Sequence, residues 1–434
     1  MFFLLSRLGT GVAVACLLLS GQSEDGFSPK QRISRIRDLG KRGADAIPAL
    51  TEYLSDGDRD IRVEAVRAIV KIDGEASLTP LVKATHDNDA EVQIRATDGL
   101  VNFYLPGYVA KGLTGPLTRG LRQAKSVFSA RNDQVIDPSV TVRPDVGQAV
   151  AVEISGGASV DARTNAARAA GILRLRTAVP SLLSSLRARD SQLIFESLVA
   201  LQKIKDPSAG PGVSPVATDL DERIQITALE TIGVLHSLES APNVRSALTS
   251  ARSLKVRRAA LEALAMLGIA GDRPVFQQYA EDKDPELRAS ALEGLGRIRE
   301  PEDYPLIERA YNEGDADWRI HLAAAFALVD QGKVDTSEYS PLPYLVENLA
   351  TKSRSTVASA YLAELVRRDD VRKALMPLIS QASRDQKLAL CSVLSESGSD
   401  DAIPVLTTLS RDIDPDVSMA ASRALKTLQA RRPS

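Results

Sequence analysis

Two signals recur along this 434-residue chain at an interval of about 31 residues, and a chain that repeats itself at that length folds as a stack of like units. The first is an aspartate three residues ahead of an apolar position: Asp58/Ile61, Asp89/Val92, Asp190/Leu193, Asp221/Ile224, Asp284/Leu287, Asp315/Trp318, Asp385/Leu388 and Asp414/Val417. Ser253/Val256 keeps the pattern with another capping residue, whereas Arg354/Val357 breaks it. An aspartate so placed accepts a hydrogen bond from the unpaired first-turn amides and suits the positive end of the helix dipole. Each therefore marks a helix start. Apolar or small residues then return at helical spacing, as in Ile61, Ala65, Ala68, Ile69 and in Val417, Ala421, Ala424, Leu425. Alanine at the fifth place (Ala65, Ala96, Ala228, Ala260, Ala291, Ala421) lets neighbouring helices approach closely, and Leu322 and Tyr361 are larger exceptions.

The second signal is a proline near the start of a preceding apolar stretch: Pro48, Pro80, Pro116, Pro180, Pro215, Pro242, Pro274, Pro305, Pro343, Pro377 and Pro404. Proline fits the first turn of a helix, where its missing amide loses nothing, so each opens or slightly kinks the first helix of a pair. The spans Pro48 to Ile61 and Pro274 to Leu287 hold two short helices and a tight link. Pairs of this kind, with an aspartate-capped second helix, resemble HEAT repeats, and the short period is similar to the subtype found in phycobilisome lyase subunits. The resemblance covers roughly residues 30–430. It implies an all-α protein, an α-solenoid (superhelix) of about eleven HEAT-type helix pairs, whose extended surface binds another macromolecule. The lyase likeness implies an alternative, attachment of a pigment or handling of another small ligand.

Stacking does not explain two departures from the period. Between Pro116 and the next second-helix start near Ala162 the chain is far longer than in other pairs, which places an insertion at residues 126–158, inside the third pair. Its β-branched runs Val135 to Val142 and Gln148 to Ile154, joined by Arg143-Pro144-Asp145-Val146-Gly147, carry the signals of a β-hairpin. The second departure, Gly332 to Pro341 with Tyr339, reads as a longer loop.

Residues 1–23 stand apart. Arg7 precedes an apolar run from Leu8 to Leu19, and small residues follow before Glu24, which is the layout of a signal peptide. The expected location is exported, periplasmic or secreted; an uncleaved segment would instead anchor the chain, the one route to membrane contact. Beyond it only Cys391 remains as a thiol, in an apolar helical context, so no internal disulfide is expected.

Lys plus Arg number 54 against 56 Asp plus Glu, and aromatic residues make up 4%, which argues against a nucleic-acid partner. The three histidines, His86, His236 and His321, form no metal set, and no His-Glu pair of the kind used by HEAT-like deoxyhypusine hydroxylases occurs. No phosphate loop, nucleophile elbow or zinc-protease signature is present. No catalytic residue, cofactor or metal is expected, and the paired Asp58 and Asp60 read as capping residues. One row of polar residues repeats just after the helix starts: Arg62, Gln93, Gln225, Arg257, Arg288 and Arg319, with Arg258 and His321 beside it. This is the candidate surface for an acidic protein partner, although arginines here also suit bonding to the loops of adjacent repeats. The expected function is an exported, non-enzymatic scaffold or adaptor.

Overall fold

The computed structural model describes residues 27–109, 134–313 and 317–430. A lone helix α1 (Pro29–Leu39) leads. Four pairs follow: α2 (Ile47–Glu52) with α3 (Arg59–Ile72), α4 (Glu75–Ala84) with α5 (Ala90–Tyr104), α6 (Pro144–Gly156) with α7 (Val160–Ile172), and α8 (Val179–Ser185) with α9 (Ser191–Ile204). The next four are α10 (Gly210–Val213) with α11 (Glu222–Val234), α12 (Ala241–Ser250) with α13 (Leu254–Leu267), α14 (Arg273–Tyr279) with α15 (Pro285–Ile298), and α16 (Tyr304–Asn312) with α17 (Trp318–Asp330). The last three are α18 (Pro341–Glu347) with α19 (Ser355–Leu365), α20 (Asp369–Gln381) with α21 (Arg384–Ser397), and α22 (Ile403–Leu409) with α23 (Pro415–Ala430). Eleven pairs thus stand among the described residues.

The capping chemistry sets this rhythm. Side chains of Asp58, Asp89, Asp190, Asp221, Ser253 and Asp284 accept first-turn amides of their second helices. Asp414 does the same from the amides of Asp416 and Val417. Two starts differ from expectation. The cap of α17 is Asp317, two residues beyond Asp315, so the buried start is Ile320 and the fifth-place residue is Ala324 in place of Leu322. The cap of α21 is Ser383, with Gln386 completing a capping box, and Asp385 lies in the first turn. Prolines sit at the first or second position of most first helices, with Pro80 and Pro377 inside theirs.

Each first helix packs on its own second helix, and second helices pack on those of the pairs before and after. The fifth-place alanines, Ala65, Ala96, Ala166, Ala228, Ala260, Ala291, Ala324 and Ala421, are wholly buried at these contacts. Small residues permit this approach: a Cβ on Gly296 of α15 would lie 2.4 Å from the Cβ of Ala327 on α17.

The expected β-hairpin is absent; the described residues contain no strand. Gln148 to Ile154 belongs to α6, which Pro144 opens, so this stretch is the first helix of the third pair and the additional chain precedes it. Val146, Val150 and Ile154 fall four apart on one face and are fully buried, whereas Val152 points outward. The helix preference lost at a β-branched residue is only a few tenths of a kcal/mol, and burying one face outweighs it. Residues 134–143 run irregularly, with the Ile136 amide bonded to the Ile172 carbonyl at 3.0 Å and the Arg143 amide to the Tyr104 hydroxyl at 3.0 Å. Pro116 and the first part of the expected insertion lie outside the described residues, as does the signal segment 1–23. The stretch before Pro341 is a loop, as expected, with Gly332 and Tyr339 at positive φ.

Candidate interaction surface

The loop between the two helices of a pair carries a device that the pattern of single aspartates left unread. In Asp56/Asp58, Asp87/Asp89, Asp219/Asp221, Asp282/Asp284 and Asp412/Asp414 the first carboxylate accepts the amide of the second at 2.8 to 3.0 Å, and the second caps the helix. The candidate row serves these loops. Arg62 grips Asp87 of the next pair at 2.7 and 2.9 Å and donates to the Asp56 carbonyl. Gln93 donates to the Asp87 carbonyl at 2.7 Å and accepts from the Ala158 amide at 2.8 Å. Gln225 reaches the Ala217 carbonyl, Arg257 the Ala251 carbonyl, Arg288 the Glu313 carboxylate, and the His321 ring lies 2.6 Å from the Glu313 carbonyl. Arg258 pairs with Asp284 and Glu286 of the next pair. Arg319 pairs with Asp317 at 3.2 Å and lies over the Trp318 ring, because α17 starts two residues later than expected. The structure thus gathers these residues along the loop edge of the stack, engaged with neighbouring loops.

A second polar row emerges only in three dimensions. Six residues after the start, the second helices of the first eight pairs present Arg67, Asp98, Arg168, Val199, Glu230, Glu262, Glu293 and Phe326, six of them charged. Side chains of the seventh and ninth pairs meet across the eighth: the Tyr361 hydroxyl donates to Glu293 at 2.7 Å, and Arg297 donates to Glu364 at 2.6 and 3.0 Å. Only helices on the inside of a curve can skip a neighbour in this way, so the second helices form the inner wall. Farther along, Lys205 at the end of α9 meets Glu396 of α21 at 2.5 Å, and Thr427 of α23 lies 3.5 Å from Asp137. The stack therefore curls until its tenth pair touches its fourth.

Charges along the inner wall are mostly matched. Arg168 pairs with Glu196, and Arg297 is held between Glu293 and Glu364 over the Phe326 ring. Between these, Glu230 and Glu262 have no ion-pair partner among the described residues. Both side chains touch water. Protein on either side nevertheless strips hydration from them and raises both above the ordinary glutamate range. Glu262 goes to about 7, with repulsion from Glu293 and Glu230 contributing.

Cys391 is buried and its thiol is pushed up to about 11 by desolvation, away from thiolate chemistry. Among the described residues no group of three or more His, Cys, Asp or Glu is arranged to hold a metal ion, and no helix is long and apolar enough to cross a membrane.

The HEAT-repeat family matches residues 21–101, 241–329 and 272–366, and the capped second helices and close-packed alanines found there recur in the pairs between and beyond. The chain is a HEAT-repeat protein. No curated protein matches it. Among solved structures, this HEAT-repeat chain is similar to the complex of CpcE and CpcF of phycocyanin lyase from Nostoc sp. PCC7120, at 19% identity and a TM-score of 0.40 over 58% of this chain and 94% of that one. It is also similar to importin beta, at 14% identity and a TM-score of 0.45 over 91% of this chain and 59% of that one. Human deoxyhypusine hydroxylase with glycerol follows at 17% identity and a TM-score of 0.29, over 58% and 96%. These likenesses concern helical repeats and do not bear on what the chain binds.

Proposed function

We propose that this HEAT-repeat protein is a non-enzymatic scaffold that holds a basic segment of another protein against its inner wall. The observation that carries the reading is the run of adjacent carboxylates Glu230 and Glu262, open to the groove and in no ion pair among the described residues, on a wall where neighbouring charges are matched. A lysine or arginine entering there gains a charge-assisted contact and relieves repulsion between like charges. In native mass spectrometry of protein isolated from its host, a stoichiometric protein partner is expected, and Glu230→Lys/Glu262→Lys is expected to lose it while melting as a folded protein. Retention of the partner by that variant overturns the groove reading. A bound small molecule with no protein partner supports ligand handling instead.

The layout of residues 1–23 supports a working place outside the cytoplasm. N-terminal sequencing of the mature protein is expected to begin near Glu24; a retained Met1 would argue for an anchor.

A further inference from the structure

The seam between the second and third pairs contains a carboxyl group that the stack itself does not need. Glu153, on α6, is 2% exposed, and its Oε2 takes the Thr97 hydroxyl at 2.5 Å while its Oε1 has no hydrogen-bond partner. The repeat supplies its own control. At the equivalent place, in or just after the other first helices, stand Tyr53, Ala84, Ser185, Val216, Ala247, Tyr279, Ala310, Asn348, Leu378 and Leu409, none of them charged. Packing at this seam therefore calls for no carboxylate, and a buried acceptor without a donor is a loss of stability that some other gain must offset.

Glu153 lines an open cleft of about 400 Å³ between the loop of the second pair and the end of α6. Its walls are His86, Asp87 and Asn88 on one side and Val152, Gly156 and Ala158 on the other. Gln93 bonds to both sides and fixes their separation. Arg62 holds Asp87 from the preceding pair, which leaves the cleft with oxygen acceptors and an aliphatic wall but no cation of its own.

From this arrangement we infer that the cleft binds an alkylammonium group, with the ammonium on the Glu153 carboxyl and the alkyl chain along Val152 and Ala158. Desolvation, with Asp98 adding repulsion, lifts Glu153 to about 8, so the empty site is mostly protonated at neutral pH. An arriving ammonium ionises the carboxyl, and the displaced proton passes to the buffer. The ammonium belongs either to a free amine or to a lysine side chain, and the two sources are separable.

The test is calorimetric titration of the full-length protein at pH 7 in phosphate and in imidazole, with 1,5-diaminopentane and with acetyl-Gly-Lys-Gly-amide as probes. Saturable one-site binding of at least one probe is expected, with release of more than half a proton read from the difference between buffers. Binding of the diamine identifies a free-amine site, and binding of the peptide alone identifies a lysine-reading site. Glu153→Gln, which keeps the shape and neutrality of the protonated acid, is expected to weaken binding at least tenfold and abolish proton release. Gly156→Leu, where an added Cβ meets nothing within 4 Å, is expected to block the cleft with Glu153 intact. Failure of both probes to saturate, or unchanged binding in Glu153→Gln, overturns the assignment.

Discussion

Glu153 and Glu262 stay protonated in the fold at pH values where an unfolded glutamate is ionised, because desolvation raises them to about 8 and about 7. The folded state then holds more protons than the unfolded one. The stability these groups contribute is complete below the unfolded value of 4.5 and is lost as pH rises through 7 and 8. Asp145 and Asp284 act in the opposite sense: Arg143 and Arg258 lower them, and their contribution disappears in acid. Urea unfolding at pH 5 and pH 9 should therefore show a wild type that loses stability toward the alkaline end. In Glu153→Gln that loss should shrink by roughly 2 to 5 kcal/mol for the buried group. Equal pH slopes in the two proteins would show that Glu153 is not the group responsible.

At the scale of helices, caps and close approaches set stability. Asp221 accepts two amides at the start of α11, so Asp221→Ala should cost about 1 kcal/mol, read as a lower denaturant midpoint at unchanged slope. Gly296→Ala should cost about 1 to 3 kcal/mol, since its Cβ would also stand 2.6 Å from the Cα of Ala327 and backbone cannot yield as a side chain does. The helix pairs were legible in sequence because a cap is a local bargain between one side chain and amides two or three residues away. The same locality explains the misplaced start at Trp318: Asp315-Ala316-Asp317 has the paired-aspartate spacing, and the second aspartate, not the first, is the cap. The β-hairpin failed as an expectation because Val146, Val150 and Ile154 satisfy helical spacing as well as Val150, Val152 and Ile154 satisfy alternation. Only the neighbouring pairs decide between them. Glu153, Glu230 and Glu262 carried no signal in one dimension, since their meaning lies in what curvature and packing bring near them.

Across the whole molecule, a polar contact between the fourth and tenth pairs holds the curl. Lys205 and Glu396 are each about half exposed, so the pair is worth below about 1 kcal/mol and is screened by salt. Lys205→Glu should enlarge the radius of gyration measured by small-angle X-ray scattering, and adding Glu396→Lys should restore it. An unchanged radius in Lys205→Glu would show that inner-wall packing alone sets the curvature. Repeat proteins ordinarily gain or lose units freely, because each unit needs only its two neighbours. Here one pair more or fewer between Lys205 and Glu396 would carry these side chains out of reach by about the 9 Å that separates packed helices. The contact thus registers the count: duplication and deletion, the ordinary means by which such chains change length, leave it intact among the outer pairs and break it between the fourth and the tenth.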